Sequence, residues 1–223
     1  MSDPDLSAFS GKARLFPLPT VVMFPHALTP LHIFEPRYKR MIEDAIQADR
    51  LIATIRIKPG AAESEAPPLE EVGCLGRIIH HERLADGRFN LLLLGLRRIR
   101  PLRETTGEGL PYRVADVAVI EDVEGSAVDL EESRQVLMKI LQRAVGGSTG
   151  LTAEILELLE TAESPGALAD VMAHGLPLTD DQKQRLLAEP SVERRFHDLR
   201  LWLSGHAGLT RPGRPFPPLF SDN

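Results

Sequence analysis

The sequence predicts an α+β fold in which a mostly antiparallel β domain with one helix precedes a helical subdomain. Three observations support this fold class. Residues 13–122 consist mainly of short apolar segments rich in β-branched residues, and in one further segment the apolar residues repeat at helical spacing. An Asp-Gly pair separates two apolar runs, as is typical of a β-hairpin. Residues 126–205 carry apolar residues at helical spacing, interrupted by Gly and Pro.

The predicted β domain begins with a segment that is broken by prolines. Residues 13–24 are apolar and contain two prolines, which cannot donate to a β-ladder, so we expect an edge strand or an extended entry segment. Residues 25–36 hold three more prolines and predict an ordered loop that runs into a short strand at Leu31–Phe34. Residues 1–12 are expected to be disordered.

The pattern then changes to that of a helix and returns to that of a strand. Apolar residues repeat at helical spacing after Pro36, a residue tolerated in a first helical turn, and predict a helix that ends near Asp49. Leu51–Lys58 alternates and is β-branched, which predicts a strand. Pro59–Glu71 is small, acidic and proline-rich, so we expect a mobile surface loop.

A β-hairpin gives the clearest local signal. Val72–Leu84 and Arg88–Ile99 flank an Asp-Gly pair, which favours a two-residue type I′ turn. Leu91–Leu94 is apolar on both faces and predicts a central strand that is covered on both sides. Tyr112–Val119 supplies a further strand, and the β domain is expected to span residues 13–122.

The second half of the chain is predicted to be helical. Gly146-Gly147 is expected to end the first helix of this part, and Thr179 with Gln182 has the spacing of a capping box. Residues 206–223 are rich in Pro and Gly and are expected to form a disordered tail. The helices are expected to begin at or just after Ala127, Thr152, Ser164, Thr179 and Ser191.

Composition limits the classes of function. The chain is 43% hydrophobic and 26% charged, as in soluble globular proteins, and no apolar run approaches the roughly 20 residues of a membrane-spanning helix. The N-terminus lacks the pattern of a signal peptide. The single cysteine excludes an intramolecular disulfide and a Cys-rich zinc site. We therefore expect a cytoplasmic location and no membrane partner.

The charge of the chain argues against a nucleic-acid partner. The formal net charge is −6, whereas attraction to phosphate backbones requires a basic surface. A short basic cluster comprises Arg97, Arg98 and Arg100, and in an acidic chain we expect it to form internal salt bridges or a solvated edge.

We find no motif that predicts catalysis or a cofactor. The run Gly146–Gly150 lacks the lysine of a phosphate-binding loop, and G-x-S-x-G is absent. Ser133 and Lys139 are six residues apart on one predicted helix and point to different faces. Cys74 is expected to be a buried, inert thiol, which leaves a hydrolase that pairs it with a histidine as the third-ranked class.

Two groups of residues invite a metal-site interpretation, but neither has the geometry for one. The first lies in a proline-rich loop, and the second places successive strand residues on opposite faces. We expect that the histidines of these two groups do not bind a metal ion. The groups are His26, His32 and Glu35, and His80, His81 and Glu82.

The segment Phe34–Tyr38 has two interpretations. In the structural one, Glu35 faces the N-terminus of the predicted helix and Arg37 pairs with a nearby carboxylate or carbonyl. In the functional one, the same residues form a polar anchor for a ligand. The structural interpretation is favoured.

A series of short motifs runs through both halves of the chain. They are Leu15–Pro19, Val22–His26, Pro30–Tyr38, Val72-Gly73, Asp86-Gly87, Leu94–Arg98, Leu168–Asp170, Leu176–Leu178, Lys183–Leu187 and Val192–Arg195. In this order and spacing they resemble the N-terminal substrate-binding domain of Lon proteases, over about residues 13–204. The chain looks like a stand-alone bacterial-type member of that family.

The resemblance implies a PUA-like β pseudo-barrel followed by a helical subdomain. It also implies a non-catalytic protein that recognises unfolded or tagged polypeptides, with a protease or chaperone as a further partner. In full Lon proteases an ATPase and a Ser-Lys peptidase domain follow, and we expect neither activity here. The alternative is a PUA-like module that binds RNA or a small molecule.

The resemblance leads to a hypothesis for the binding site. An apolar groove or an open sheet edge is what a reader of unfolded chains needs. We expect peptide to lie between the proline-broken segment Phe16–Phe34 and the helical part, although each apolar residue can equally belong to the core. The proposed site residues are Phe24, Leu28, Leu31, Phe34, Arg37 and Arg98.

Overall fold

The structure is a computed structural model that describes residues 6, 9–61, 66–105, 109–144, 162, 164–205 and 221–222. The chain divides into two compact units. The β unit comprises Met1–Ile120 together with Phe220–Asn223, and the helical unit comprises Glu121–Leu219. The predicted α+β class is confirmed.

Within the described residues, the β unit has seven strands and one helix. They are β1 (Lys12–Leu18), β2 (Leu28–Ile33), α1 (Pro36–Gln47), β3 (Leu51–Arg56), β4 (Gly73–Arg83), β5 (Phe89–Glu104), β6 (Val114–Ile120) and β7 (Ser221–Asp222). The order in the sheet is β4-β3-β1-β6-β5-β2-β7, and β4 also pairs with β5. The sheet is mostly antiparallel, with parallel pairing between β1 and β3 and between β2 and β7.

Strand β5 gives the sheet its curvature. One of its edges pairs with β4 over Phe89–Ile99, and the other pairs first with β2 and then with β6. Between β2 and β6, the segment Phe24–Ala27 crosses at Gly95, whose amide donates to Ala27 O at 2.9 Å. The sheet therefore curls into a pseudo-barrel, with β2 and β7 extending from it.

Strand β1 is an inner strand, so the expected edge strand was wrong. Lys12–Arg14 pair with β6 on one side, and Leu15–Leu18 pair with β3 on the other. Leu18 O accepts from Ile57 N at 2.9 Å, which indicates that even-numbered residues of β1 face β3. Pro17 therefore faces the side where pairing with β6 has already ended, and its missing N–H costs no ladder bond.

The turn between β4 and β5 differs from the predicted type I′ turn. Leu84 N donates to Arg88 O at 2.8 Å, and Gly87 N donates to Leu84 O at 2.9 Å. The φ angle is +82° at Gly87 but not positive at Asp86, whereas a type I′ turn needs both. The connection is a three-residue loop closed by a glycine in the left-handed region. The backbone amide of Arg88 donates a hydrogen bond to the Asp86 carboxylate, which stabilises this loop conformation and lowers the pKa of the Asp86 carboxyl group.

The sheet has apolar layers on both of its faces. Helix α1 buries Tyr38, Met41, Ile42 and Ala45. The rings of Tyr38 and Phe16 of β1 lie 4.7 Å apart. Residues of the opposite face form a cluster, here called the barrel core, which comprises Ala13, Leu15, Leu51, Ala53, Ile55, Leu75, Leu96, Ile99, Ala115 and Val117.

The expectation of a disordered N-terminus is wrong for the residues of it that the structure describes. Leu6 and Phe9 pack against the barrel core, because their apolar side chains gain burial there, and β1 already begins at Lys12. Within the predicted surface loop, Ile57 and Leu69 form a bridge, whereas residues 62–65 lie outside the described residues.

The helical unit follows the predicted caps closely. Its described helices are α2 (Ala127–Ala144), α3 (Pro165–Gly175), α4 (Asp180–Ala188) and α5 (Val192–Gly205). Ser164 Oγ accepts from Ala167 N at 3.1 Å, and Thr179 with Gln182 forms the reciprocal capping box. The predicted stop at 146–147, the helix after Thr152 and most of the predicted tail (206–220 and 223) lie outside the described residues.

A buried arginine joins three segments of the helical unit. Arg195 of α5 is fully buried and donates to the carboxylates of Asp170 on α3 and of Asp122, the latter at 2.5 Å. A Cβ on Gly166 would lie 2.4 Å from Asp122 Oδ2, so glycine leaves the room that this cluster needs. Two carboxylates thus compensate the buried guanidinium.

Replacing Arg195 by Met removes the guanidinium that compensates the fully buried Asp170, so we expect the free energy of unfolding to fall by about 3–5 kcal/mol. The single tryptophan, Trp202, lies on α5, so its fluorescence in urea reports on this unit. The matched control is Arg194→Met, which removes an exposed arginine 3.7 Å from Glu189. Equal losses in both variants would show that the buried cluster has no special role.

The two tyrosines make the β unit sensitive to alkaline pH. Burial raises the pKa of Tyr38 and of Tyr112 above 10.0, and Tyr112 also donates to Asp44 at 2.8 Å. Because the folded state holds both phenolic protons more tightly, the free energy of unfolding should fall as the pH rises above 10.0. We expect tyrosinate absorbance to develop at higher pH in the native protein than in urea, and coincident titrations would refute this.

Candidate functional site

Half of the proposed site residues are buried, and for the two apolar ones among them the alternative of a place in the core applies. Phe24 and Leu31 are fully buried and belong to the core, and Arg98 is 2% exposed. Leu31 faces inward because odd-numbered residues of β2 point to the core. Arg98 lies opposite the buried Cys74 in the pairing of β4 with β5.

The other three proposed residues are exposed. Leu28 is 48% exposed and Phe34 is 43% exposed. Arg37 donates from Nε to Glu35 Oε2 at 2.8 Å, and its guanidinium lies 4.5 Å from the ring centroid of Tyr38. The expected pairing of Arg37 with a carboxylate is confirmed. Glu35 occupies the N-cap position of α1, but its carboxylate accepts from Arg37 and makes no capping hydrogen bond.

Leu28 belongs to a larger surface formed by three strands. The pairings of β2 with β5 and of β5 with β4 place residues in three rows across the sheet, with side chains on one face. The rows are Leu28, Leu94 and Arg77; Pro30, Leu92 and His80; and His32, Asn90 and Glu82. We call this surface, together with Phe34 and Ile79, the outer face.

A β-bulge adds Ile79 to the outer face. The register between β4 and β5 shifts between Ile78 and His80, so Ile79 and His80 both lie opposite Leu92. Ile79 is 43% exposed as a result. Of the seven large hydrophobic residues that are exposed in the described part of the chain, three lie on this surface: Leu28, Phe34 and Ile79.

The outer face continues the barrel core. Leu94 is half-buried and packs against that cluster, Leu92 on the same strand is also half-buried, and Leu28, which lies opposite Leu94 on β2, is exposed. An apolar ligand on this surface would therefore contact the interior of the protein at one end and solvent at the other. The apolar part of the outer face is thus connected to the barrel core through Leu94.

A hydrogen-bonded polar row crosses the outer face between Pro30 and Phe34. His32 Nδ1 lies 2.8 Å from Asn90 Oδ1, and Asn90 Nδ2 donates to Glu82 Oε2 at 3.4 Å. Arg88 Nη1 lies 3.2 Å from His32 Nε2, and because arginine only donates, this ring nitrogen accepts. Nδ1 then carries the proton and donates to Asn90. These hydrogen bonds orient the ring of His32, whose centroid lies 6.5 Å from that of the Phe34 ring.

The outer edge of β2 adds a second feature to this surface. Gly95 N donates to Ala27 O, so odd-numbered positions continue the ladder towards β5 and even-numbered positions face the outer edge. Pro30 is even-numbered, which is why a proline fits in this strand. Of the outer-edge positions, Leu28 and His32 have a backbone N–H, and His32 lies where β2 pairs with β7.

The metal and nucleophile interpretations gain no support from the geometry. Within the described ranges, no group of three or more His, Cys, Asp or Glu side chains is placed to hold a metal ion. Cys74 is a buried free thiol whose Sγ lies 3.5 Å from Leu75 O. No helix in the described part of the chain is long and apolar enough to cross a membrane.

A family comparison decides what kind of domain this is. The family model described as the ATP-dependent protease La (LON) substrate-binding domain matches residues 12–204. The chain belongs to this family. The resemblance found in the sequence is thereby confirmed, and it covers both units.

Curated relatives of the Lon family are much longer than this chain. The Lon protease of Dictyoglomus thermophilum is 27% identical over 190 residues, which are 85% of this chain and 24% of the relative. The Lon protease of Xanthomonas oryzae pv. oryzae is 30% identical over 190 residues, with 81% and 21% covered. The chain thus spans about a quarter of the length of these Lon proteases.

Solved structures of Lon N-terminal domains share the fold. The crystal structure of a Lon N-terminal domain protein from Xanthomonas campestris has a TM-score of 0.62 at 25% identity and covers 86% of this chain and 98% of that one. The N-terminal domain of the Mycobacterium avium complex Lon protease has a TM-score of 0.67 at 21% identity, with 87% and 99% covered.

Proposed function

We propose that this Lon-family chain binds polypeptides and that the outer face is where it does so. The observation that carries the proposal is that Leu28, Phe34 and Ile79 are all exposed on one face of the sheet, beside the outer edge of β2, whose described pairing with β7 involves only Leu31 and His32. Isolated exposed apolar residues are common, whereas several on one face favour a binding surface. Unfolded chains expose the apolar side chains and the unpaired backbone that such a surface can accept.

The family supports this proposal and narrows its chemistry. The matching family is described as a substrate-binding domain of an ATP-dependent protease, so an unfolded or tagged polypeptide is the substrate class we propose. The matching family is described as the substrate-binding domain alone, not as the ATPase or peptidase domain. We therefore propose a binding role without catalysis. A protease or chaperone as a further partner, and a cytoplasmic location, belong to the same proposal.

We propose a supporting role for Arg37. Its guanidinium is held between Glu35 and the ring of Tyr38, close to the exposed Phe34 in the sequence. A polar ligand group can reach it without first breaking a buried contact, because the side chain is 45% exposed. We propose that it contacts the polypeptide at the margin of the outer face.

Replacing Leu28 and Phe34 together by Ser should weaken polypeptide binding by about tenfold or more, the effect expected when two exposed apolar anchors are lost. The measurement is the fluorescence anisotropy of a labelled, permanently unfolded model protein titrated with the full chain. Because both side chains are exposed, the double variant should unfold at nearly the same urea concentration as the unmodified protein.

The matched control is Leu102→Ser with Leu110→Ser, which removes two exposed leucines of the β unit that are not on the outer face. This control should bind as the unmodified protein does. Equal weakening in both double variants would refute the assignment to the outer face, and no binding at high micromolar concentration would refute polypeptide binding. Strong, salt-dependent binding of single-stranded RNA in its place would favour the alternative of an RNA-binding module.

A further inference from the structure

The outer edge of β2 is occupied by another part of the same chain. Ser221 and Asp222 form β7, which pairs in parallel with β2 in the register Leu31 with Ser221 and His32 with Asp222. Both strands belong to the β unit. An extended segment on a sheet edge is the geometry by which proteins commonly bind peptides, in which main-chain hydrogen bonds supply affinity.

The edge limits how long such an added strand can be. Even-numbered residues of β2 face outward, and among them Pro30 has no N–H to donate. A strand added at the C-terminal end of β2 can therefore pair with the backbone of His32. At Pro30, the preceding outward-facing position, β2 has no N–H to donate to that strand. Among the described residues, β7 pairs with Leu31 and His32.

We propose that the segment at Ser221–Asp222 is an internal competitor, which holds the outer edge of β2 as a parallel strand and has to leave before a polypeptide is added there. This inference rests on the proposed function, because it concerns the same surface. The polypeptide would lie along β2 with its backbone paired near His32 and its apolar side chains against Leu28 and Phe34.

A short strand can compete because it is tethered. Two residue pairs alone make a weak contact, because each hydrogen bond formed within the protein replaces one made to water. Since the segment belongs to the same chain, its pairing avoids the entropy loss of bimolecular association. A contact of this size can also open without a large barrier.

The test removes the backbone donor that β7 directs at β2. Because even-numbered residues of β2 face outward, the parallel register directs Ser221 N at Pro30 O and His32 N at Ser221 O, whereas Asp222 N points away. In the variant Ser221→Pro, this donor is lost and the proline ring disfavours the pairing. If the unmodified segment occupies the edge about 80–90% of the time, its removal should tighten the apparent Kd for the labelled unfolded protein about five- to tenfold. The amide of His32, followed by hydrogen exchange in the absence of polypeptide, should exchange faster in this variant.

The matched control is Ser221→Ala, which alters the side chain but keeps the backbone donor. It should leave both the apparent Kd and the exchange rate of His32 unchanged. An equal tightening in the Ala and Pro variants would overturn the proposed strand pairing, because the effect would then come from the side chains.

The remaining outcomes separate this inference from the proposed function. Unchanged exchange at His32 in the Pro variant would overturn the occupancy of the edge. Faster exchange with an unchanged Kd would overturn the competition, while polypeptide binding itself would stand. If none of the proteins binds polypeptide, the proposed function fails and the competition fails with it, whereas the exchange of His32 still reports whether β7 pairs with β2.

Discussion

The double pairing of β5 is the constraint on which the arrangement of the β unit depends. β4 covers one edge of this strand, while β2 and β6 share the other and leave a gap in which the segment Phe24–Ala27 crosses. A Cβ on Gly95 would lie 1.9 Å from the carbonyl oxygen of Phe24, so the crossing is possible only at a glycine. The position of β2, and with it the outer face, therefore depends on one residue without a side chain.

Local signals predicted most helices and strands because their causes act within a few residues. The caps at Ser164 and Thr179 and the proline that opens α1 are where the sequence indicated. Errors arose where distant pairing decides the outcome. The prolines of β1 indicated an edge, but β3 returns in parallel beside it, and nothing local shows that Pro17 faces a side without a ladder partner.

The site was only half predictable for a similar reason. Side chains alternate between exposed and buried along β2, so that Leu28 is exposed and Leu31 is buried. The predicted strand began only at Leu31, so this alternation did not extend to Leu28 in the prediction. Ile79 is exposed by a bulge, whose place depends on the register of two strands. The family motifs do not by themselves mark a site, since two of their residues, Asp170 and Arg195, form a buried ion pair of the helical unit.

An accessible strand edge beside an apolar surface suits the proposed binding of unfolded chains, and such an edge also favours pairing between copies of a protein. Pro30 limits that pairing, because it interrupts the row of donors along β2 and leaves room for only a short added strand. Under the proposed function, affinity would therefore come mainly from side chains on the outer face, and the backbone near His32 would set the direction of the bound chain. An apolar face and a shortened edge on the same strand would then recognise polypeptides more by their side chains than by their backbone.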